Sequence, residues 1–440
     1  MKTTTLNSGA EAATPVAGAP ADAIDRRSFL KQGIKAAGAV AVGGVAGVSA
    51  LPAQGADPIG KAFPSWSTTP GAPFRGYGQP SQFEEKVQRA LTPGYGTLAP
   101  GTGTSRTPLQ ALNGALTPSG LHFERHHGGV PQIDPTQHQL MVHGLVRKPI
   151  IFTAATLLRY PMISRTCFIE CAGNSGANTL PKAPQATCGV IHGLVSGSEW
   201  TGVSLALLLD EAGVEPGAKW LLAEGADSAA MSRSVPVEKA YDDAIVALYQ
   251  NGERIRPEQG YPLRLLLPGW EGNMNVKWLR RLELTEAPTH TKDETSKYSD
   301  LMPNGKARQF TFELDVKSVI TQPSGGLTMQ GAGRYEISGL AWSGAGRITK
   351  VEVSTDGGVN WKEASLQAPV LPKALTRFRL PWDWNGAPAM LQSRATDEKG
   401  TVQYTRNNWT AQYSSAHRYH NSMIQTWAVN ADGSINNVYL

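Results

Sequence analysis

From about residue 306 onward the chain reads as β-strand and little else, and this does more than any other feature to limit its architecture. Short alternating runs such as FTFELDV (Phe310–Val316) are punctuated by hairpin signals, STDGGVNW (Ser354–Trp361) and GAPAM (Gly386–Met390), with almost no helical periodicity. About 130 residues of this kind predict an Ig-like β-sandwich over 306–440. Upstream the pattern differs. RTCFIECAG, SLALLLDEAGV, DAIVALYQNGERI and VKWLRRLELTEA alternate short apolar runs with helices, but not in strict βαβ order. The expected fold class is therefore α+β, with one mixed α/β domain over 56–305 followed by the sandwich. With 440 residues, 40% of them hydrophobic, the chain can bury a core in each. Residues 56 to about 120, rich in Pro, Gly, Thr and Ser, are expected to form an extended arm with one helix in PSQFEEKVQRALT, where Ser81 is a candidate cap.

The N-terminus has its own character. DRRSFLK (Asp25–Lys31) leads into the weakly apolar AAGAVAVGGVAGVSA, the pattern of a twin-arginine export signal, so residues 1–55 are expected to be a removable leader and the mature protein periplasmic. The competing reading is a short membrane anchor. Against it, the stretch is Gly-rich and shorter than the ~20 apolar residues a span needs, and no other stretch in the chain fits one, so no membrane span is expected in the mature form. The twin-arginine route carries proteins that fold before export, often around a cofactor. The formal charge of +5 comes from basic residues scattered among acidic ones, with no run that would track phosphates, so nucleic acid is not an expected partner.

Cys171 ends the strand-like run RTCFIE and opens onto Ala-Gly-Asn-Ser-Gly, a small-residue loop that lets backbone approach a ligand closely. A thiolate placed there could be a nucleophile, a redox thiol or a soft-metal ligand; the alternative is a buried structural cysteine. In a strand Cys167 and Cys171 share a face but lie ~13 Å apart, beyond the ~7 Å a disulfide spans. Zinc-type spacing is absent, and CGVIH at Cys188 is not the CxxCH of an attached haem. Cys167 and Cys188 read as structural.

CAGN, taken with several other stretches in the same order, resembles the sulfite oxidase family of molybdopterin enzymes. LHFERHHGGVP is similar to the family segment that meets substrate and pterin, WTGVSLALLL to its Trp and helix, and YQNGERIRPEQGYPLRLLLPGWEGNMNVKWLRRLEL to its most distinctive stretch. The resemblance runs from about residue 110 to the C-terminus and implies a sulfite-oxidase-type molybdopterin domain followed by an Ig-like dimerisation domain. It implies a molybdenum–molybdopterin cofactor, with Cys171 as the one protein ligand to the metal. It further implies Phe123, His127, Asp227, Arg264, Asn275, Val276 and Lys277 as cofactor contacts, and Arg125, Tyr298 and Trp200 as residues of the reaction pocket. Departures from the family pattern are Gln259 in place of a pterin-binding His and Met274 in place of Arg. Asn174, Ser175 and Gly176 stand where commoner members carry a cationic side chain, which implies a pocket less positive and more open.

The chemistry so implied is oxygen-atom transfer to sulfur, with two electrons passing through the metal. No haem motif occurs in the chain, so a separate c-type cytochrome subunit is the expected electron acceptor. The leader, the loop after Cys171 and the tail HRYHNSMIQTWAVNADGSINNV are most similar to family members that oxidise sulfane sulfur held on a carrier protein. A dehydrogenase of free sulfite, a small sulfur oxyanion, or a sulfoxide reductase is the alternative. Dimerisation through the β domain, within a heterotetramer, is also implied.

Overall fold

The computed structural model describes residues 64–93, 100–413 and 419–440; the expected leader lies outside them. These residues fall into two units, one ending at Gln79 and one spanning Pro80–Leu440. In the first, a single helical turn, Ser65–Thr68, precedes exposed extended chain. The second contains everything that follows.

The cysteine strand, Met162–Glu170, pairs antiparallel along its whole length with Val195–Ser204, which pairs in turn with Ile245–Gln250. That third strand turns back through Asn251 and Gly252, both at positive φ, into Glu253–Arg254, as the Asn-Gly pair in the sequence requires. Arg264–Leu266 adds to its other end. A second sheet runs Ile150–Thr153, Gln139–Gly144, Leu279–Thr285, Trp220–Gly225, Ser232–Pro236; only the pairing of Gln139–Gly144 with Leu279–Thr285 is parallel. Between the two sheets the helix Leu205–Ala212 buries Leu205, Leu208, Leu209 and Ala212, one face at i, i+3, i+4, i+7 spacing, and stops at Gly213 with φ 70°.

The sandwich has a four-stranded sheet, Lys317–Gln322, Gly333–Trp342, Thr376–Trp384, Ser365–Leu366, and a five-stranded one, Lys362–Glu363, Ile348–Ser354, Ala389–Asp397, Thr426–Val429, Ile435–Val438. Ile337, Trp342, Val351, Phe378, Leu391 and Trp427 fill the space between them, each shielded from solvent. The same apolar cluster continues into Phe168, Cys188, Ile191 and Val195 of the mixed half. One core thus crosses the boundary near residue 306.

The helix expected in PSQFEEKVQRALT is a correction. Ser81 does cap, its hydroxyl accepting from the Phe83 amide at 3.3 Å, but only a 3-10 turn, Gln82–Glu84, follows. Ala90–Pro93 is then a strand against Gly103–Arg106, anchored by Arg89, which pairs with Glu124 and donates to the His122 carbonyl at 3.2 Å. An exposed segment has no apolar face to bury as a helix, and a short helix without one is marginal, so strand pairing prevails.

Candidate active site

A cavity opens at the end of the cysteine strand, with ≈ 670 Å³ of space counted out into open solvent. Behind it lies an apolar cluster of Phe123, Cys167, Ile169, Trp200, Ile245, Ala247 and Leu266, on which Cys171 packs and of which Phe123 and Ile169 reach the cavity wall. Cys171 is the first residue beyond the strand; its amide donates to the Leu194 carbonyl at 2.9 Å, and its own carbonyl accepts from the Asn174 amide at 2.8 Å. The backbone around it is crowded. A Cβ on Gly272 would sit 2.7 Å from the Glu170 oxygen and 3.3 Å from the Cys171 Cα, so only glycine fits there.

Ten of the eleven residues the family resemblance singles out line this cavity: Phe123, Arg125, His127, Cys171, Asp227, Arg264, Asn275, Val276, Lys277 and Tyr298. Trp200 does not. It is fully buried one layer back, with the Arg264 guanidinium 4.9 Å above its ring, so it holds Arg264 and does not face the cavity. Lys277, which a period-2 reading would place in a strand, lies before one: Trp278 has φ 52°, and the strand starts at Leu279. That turn aims Lys277 inward while the Trp278 indole donates to the Pro257 carbonyl at 2.9 Å. The Asn275 side chain is committed to its own loop, accepting from the Leu267 amide at 2.7 Å and donating to the Glu271 carbonyl at 3.1 Å.

The loop after Cys171 turns away from the cavity. Asn174 and Ser175 are each 1% exposed and bond to buried groups behind the site, and Gly176 is not part of the cavity wall. The resemblance left unassigned several wall residues: His122, His126, Met231, Gly272, Asn273 and Trp278, with Gln259, whose amide donates to the Phe123 carbonyl at 2.9 Å. His122 and His126 stand beside the motif residues, and Asn273 lies within the distinctive stretch on the 3-10 turn Gly272–Met274, but nothing in the sequence marks Met231.

The electrostatics are those of an anion site. Arg264 donates to the carbonyls of Gln259 at 2.9 Å and Asn275 at 2.8 Å, and burial pulls its guanidinium down to about 9. Lys277 donates to His126 Nδ1 at 2.8 Å and to the Glu258 and Arg125 carbonyls; burial, then the nearby Arg264, holds its ammonium well below the usual lysine range. Burial, then Arg125, pushes His127 down to about 3, so its ring is neutral where its Nε2 meets the Tyr298 hydroxyl at 3.1 Å. Burial raises the Tyr298 hydroxyl, and the Cys171 sulfur raises it further; burial also raises the Cys171 thiol. A bound polyanion would relieve the strain on Arg264 and Lys277, and a metal ion would take the thiol as thiolate.

Four polar atoms of wall residues are buried without a protein partner: His122 Nε2, Asp227 Oδ1, Arg264 Nε and Asn273 Nδ2. His122 is neutral, pushed down to about 3 by burial, and its Nδ1 faces the Phe123 carbonyl at 3.1 Å. Nδ1 therefore carries the proton, and Nε2 is an acceptor. Two acceptors, two donors, buried cations and a thiol lining one cavity match a pterin with its amino and ring N–H groups, its phosphate and its metal. The residues fit the cofactor.

Residues 127–292 match the oxidoreductase molybdopterin binding domain and residues 308–427 the Mo-co oxidoreductase dimerisation domain. The chain belongs to the sulfite oxidase family of molybdopterin oxidoreductases, and its cofactor is molybdenum–molybdopterin. Within that class it is similar to the crystal structure of the sulfane dehydrogenase SoxCD from Paracoccus pantotrophus: 46% identical, TM-score 0.84, covering 88% of this chain and 100% of that one. It is also 32% identical over 323 residues to an inducible NADH nitrate reductase of Glycine max and 31% over 279 residues to an NADH nitrate reductase of Ulva prolifera. Those matches cover 65% and 56% of this chain but only 35% and 32% of the relatives, so the chain spans about a third of their length.

Proposed function

We propose that this oxidoreductase oxidises sulfane sulfur held on a carrier protein and passes the electrons to a c-type cytochrome subunit like SoxD, in the periplasm. The observation that carries the reading is the 46% identity over the whole of the matched SoxCD chain. The Arg26–Arg27 pair supports export by the twin-arginine route, and the similarity to the SoxCD complex supports a separate cytochrome as electron acceptor.

When bound, the cofactor supplies two-electron oxygen-atom transfer chemistry at molybdenum. Cys171 would hold the metal. Arg264 and Lys277, kept rigid by the carbonyls of Gln259, Asn275, Glu258 and Arg125, would hold the phosphate. His122 Nε2 and Asp227 Oδ1 would accept from the pterin. Arg125 attracts the sulfur substrate and Tyr298 presents a hydroxyl to it, oriented by His127 and by the Arg233 guanidinium 5.2 Å over its ring. Trp200 acts through Arg264.

The test is cytochrome c reduction by purified, loaded enzyme given a persulfidated carrier protein or free sulfite, with the oxidation of a reduced viologen dye by dimethyl sulfoxide assayed separately. Turnover with the carrier and little with sulfite is expected. Efficient oxidation of free sulfite with no response to the carrier would reassign the chain to the sulfite dehydrogenases, and reduction of the sulfoxide to the reductases. In the same spirit, a homodimer joined through the sandwich and bound to the cytochrome is expected from light scattering of the co-expressed complex.

A further inference from the structure

The residue just before the metal ligand is a buried carboxylate held by the other half of the molecule. Glu170 is 5% exposed, and three donors satisfy it: Asn174 Nδ2 at 2.8 Å and Lys317 Nζ at 2.9 Å on one oxygen, Trp342 Nε1 at 2.7 Å on the other. Lys317 and Trp342 belong to the sandwich and stand directly opposite each other in its four-stranded sheet. Sheet register thus delivers an ammonium and an indole N–H to one carboxylate.

Lys317, 2% exposed, makes a second bond, to Ser175 Oγ at 2.8 Å. Gln425 donates through its Nε2 to Thr426 and Asn437, so its Oε1 accepts from His192 Nε2–H at 3.0 Å; the Nδ1 of the neutral ring then accepts from the Ser175 hydroxyl at 2.7 Å, whose oxygen accepts from Lys317. The chain of bonds thus runs from the Lys317 ammonium to the Gln425 amide with each donor matched to an acceptor. Ser175 sits at φ 61°, a left-handed conformation disfavoured for serine, and Asn421 of the sandwich donates to its carbonyl at 3.0 Å. The His420 amide donates to the Ala172 carbonyl at 2.8 Å. The cysteine loop is therefore gripped from behind at Glu170, Ala172 and Ser175 by sandwich residues.

Burying an ion pair is costly, and an apolar pair of similar shape is commonly as stable. Stability alone does not explain a lysine here. We propose that Lys317 is a positioning residue for the molybdenum ligand: acting through Glu170 and Ser175, it fixes the Cys171 loop and places a buried positive charge behind it, which makes the sandwich a working part of the active site. The inference rests on Cys171 as the metal ligand and is independent of the substrate.

The test compares wild-type protein with Lys317→Arg, which keeps the charge, and the double variant Lys317→Met/Glu170→Gln, which leaves no buried charge unpaired and so separates the role from folding. Each is purified loaded, and molybdenum content, melting temperature, the Mo(V) electron paramagnetic resonance spectrum and steady-state constants are measured. The double variant is expected to fold and bind molybdenum but to show shifted Mo(V) g-values and a kcat lowered about 10–100-fold with KM changed less, in the range seen when groups supporting a metal ligand are removed. Lys317→Arg is expected to recover most of the kcat. A folded, loaded double variant with the wild-type spectrum and kcat would overturn the role of Lys317. Wild-type protein purified without molybdenum would instead overturn the reading of Cys171 on which it rests.

Discussion

Of the three cysteines, only Cys171 reaches the cavity. Burial pushes Cys167 and Cys188 up to about 12, so both stay protonated and unreactive at ordinary pH. Alkylation of cofactor-free protein, followed by peptide mass spectrometry, is expected to label Cys171 alone, and loading with cofactor to protect it; labelling at Cys167 would contradict the packing described. The neighbouring backbone is equally constrained. Gly272→Ala places a methyl 2.7 Å from the Glu170 oxygen and is expected to cost about 1–3 kcal/mol of stability while displacing the cysteine, which denaturant titration and molybdenum content would reveal. At this scale the sequence was informative where residues sit in motifs: ten of the eleven expected side chains face one cavity. Trp200 was placed one layer too near, because adjacency along a motif does not say which side of a strand sheet faces the ligand. Met231 went unnoticed, since an apolar residue on a loop carries no signal until the fold brings it to the wall; Asn273 was passed over although it lies two residues from Asn275 in the distinctive stretch.

Among the elements, the short helix Cys188–His192 deserves a pH experiment. His192 is wholly enclosed, and burial, then Lys317, pushes it down to about 3 from its ordinary 6.5. Between these values the unfolded chain takes up a proton that the folded one refuses. Stability is therefore complete above about pH 6.5 and declines as pH falls toward 3, by about 1.4 kcal/mol per pH unit for such a histidine. His192→Asn is expected to flatten the acid limb of a plot of denaturant midpoint against pH from 7 to 4; an unchanged slope would mean that the ring is already charged in the native state. Elements with strong local signals were legible: the Asn-Gly hairpin, the helix Leu205–Ala212 and the cysteine strand all form where periodicity and turn residues place them. The helix in the arm was not, because PSQFEEKVQRALT has helical composition but no surface to pack on, and an edge strand was available to it.

For the whole molecule, hydrophobic patterning marks the change of architecture near residue 306 but does not reveal that the core is shared across it. Phe168, Cys188, Ile191 and Val195 pack into the sandwich cluster, and the Cys171 loop is bonded to sandwich side chains. Long-range polar pairs such as Glu170–Lys317, 147 residues apart in sequence, have no local pattern from which they could be read. A fragment comprising residues 56–305 is accordingly expected to be insoluble or molten and to bind no molybdopterin, judged by circular dichroism and metal analysis, whereas a folded, loaded fragment would show the halves to be independent. The central claim is that Cys171 sulfur bonds molybdenum within this cavity. X-ray absorption at the molybdenum edge tests it most directly: the spectrum of the loaded wild-type protein is expected to contain one more sulfur ligand than that of Cys171→Ser, and equal sulfur counts in the two would contradict it.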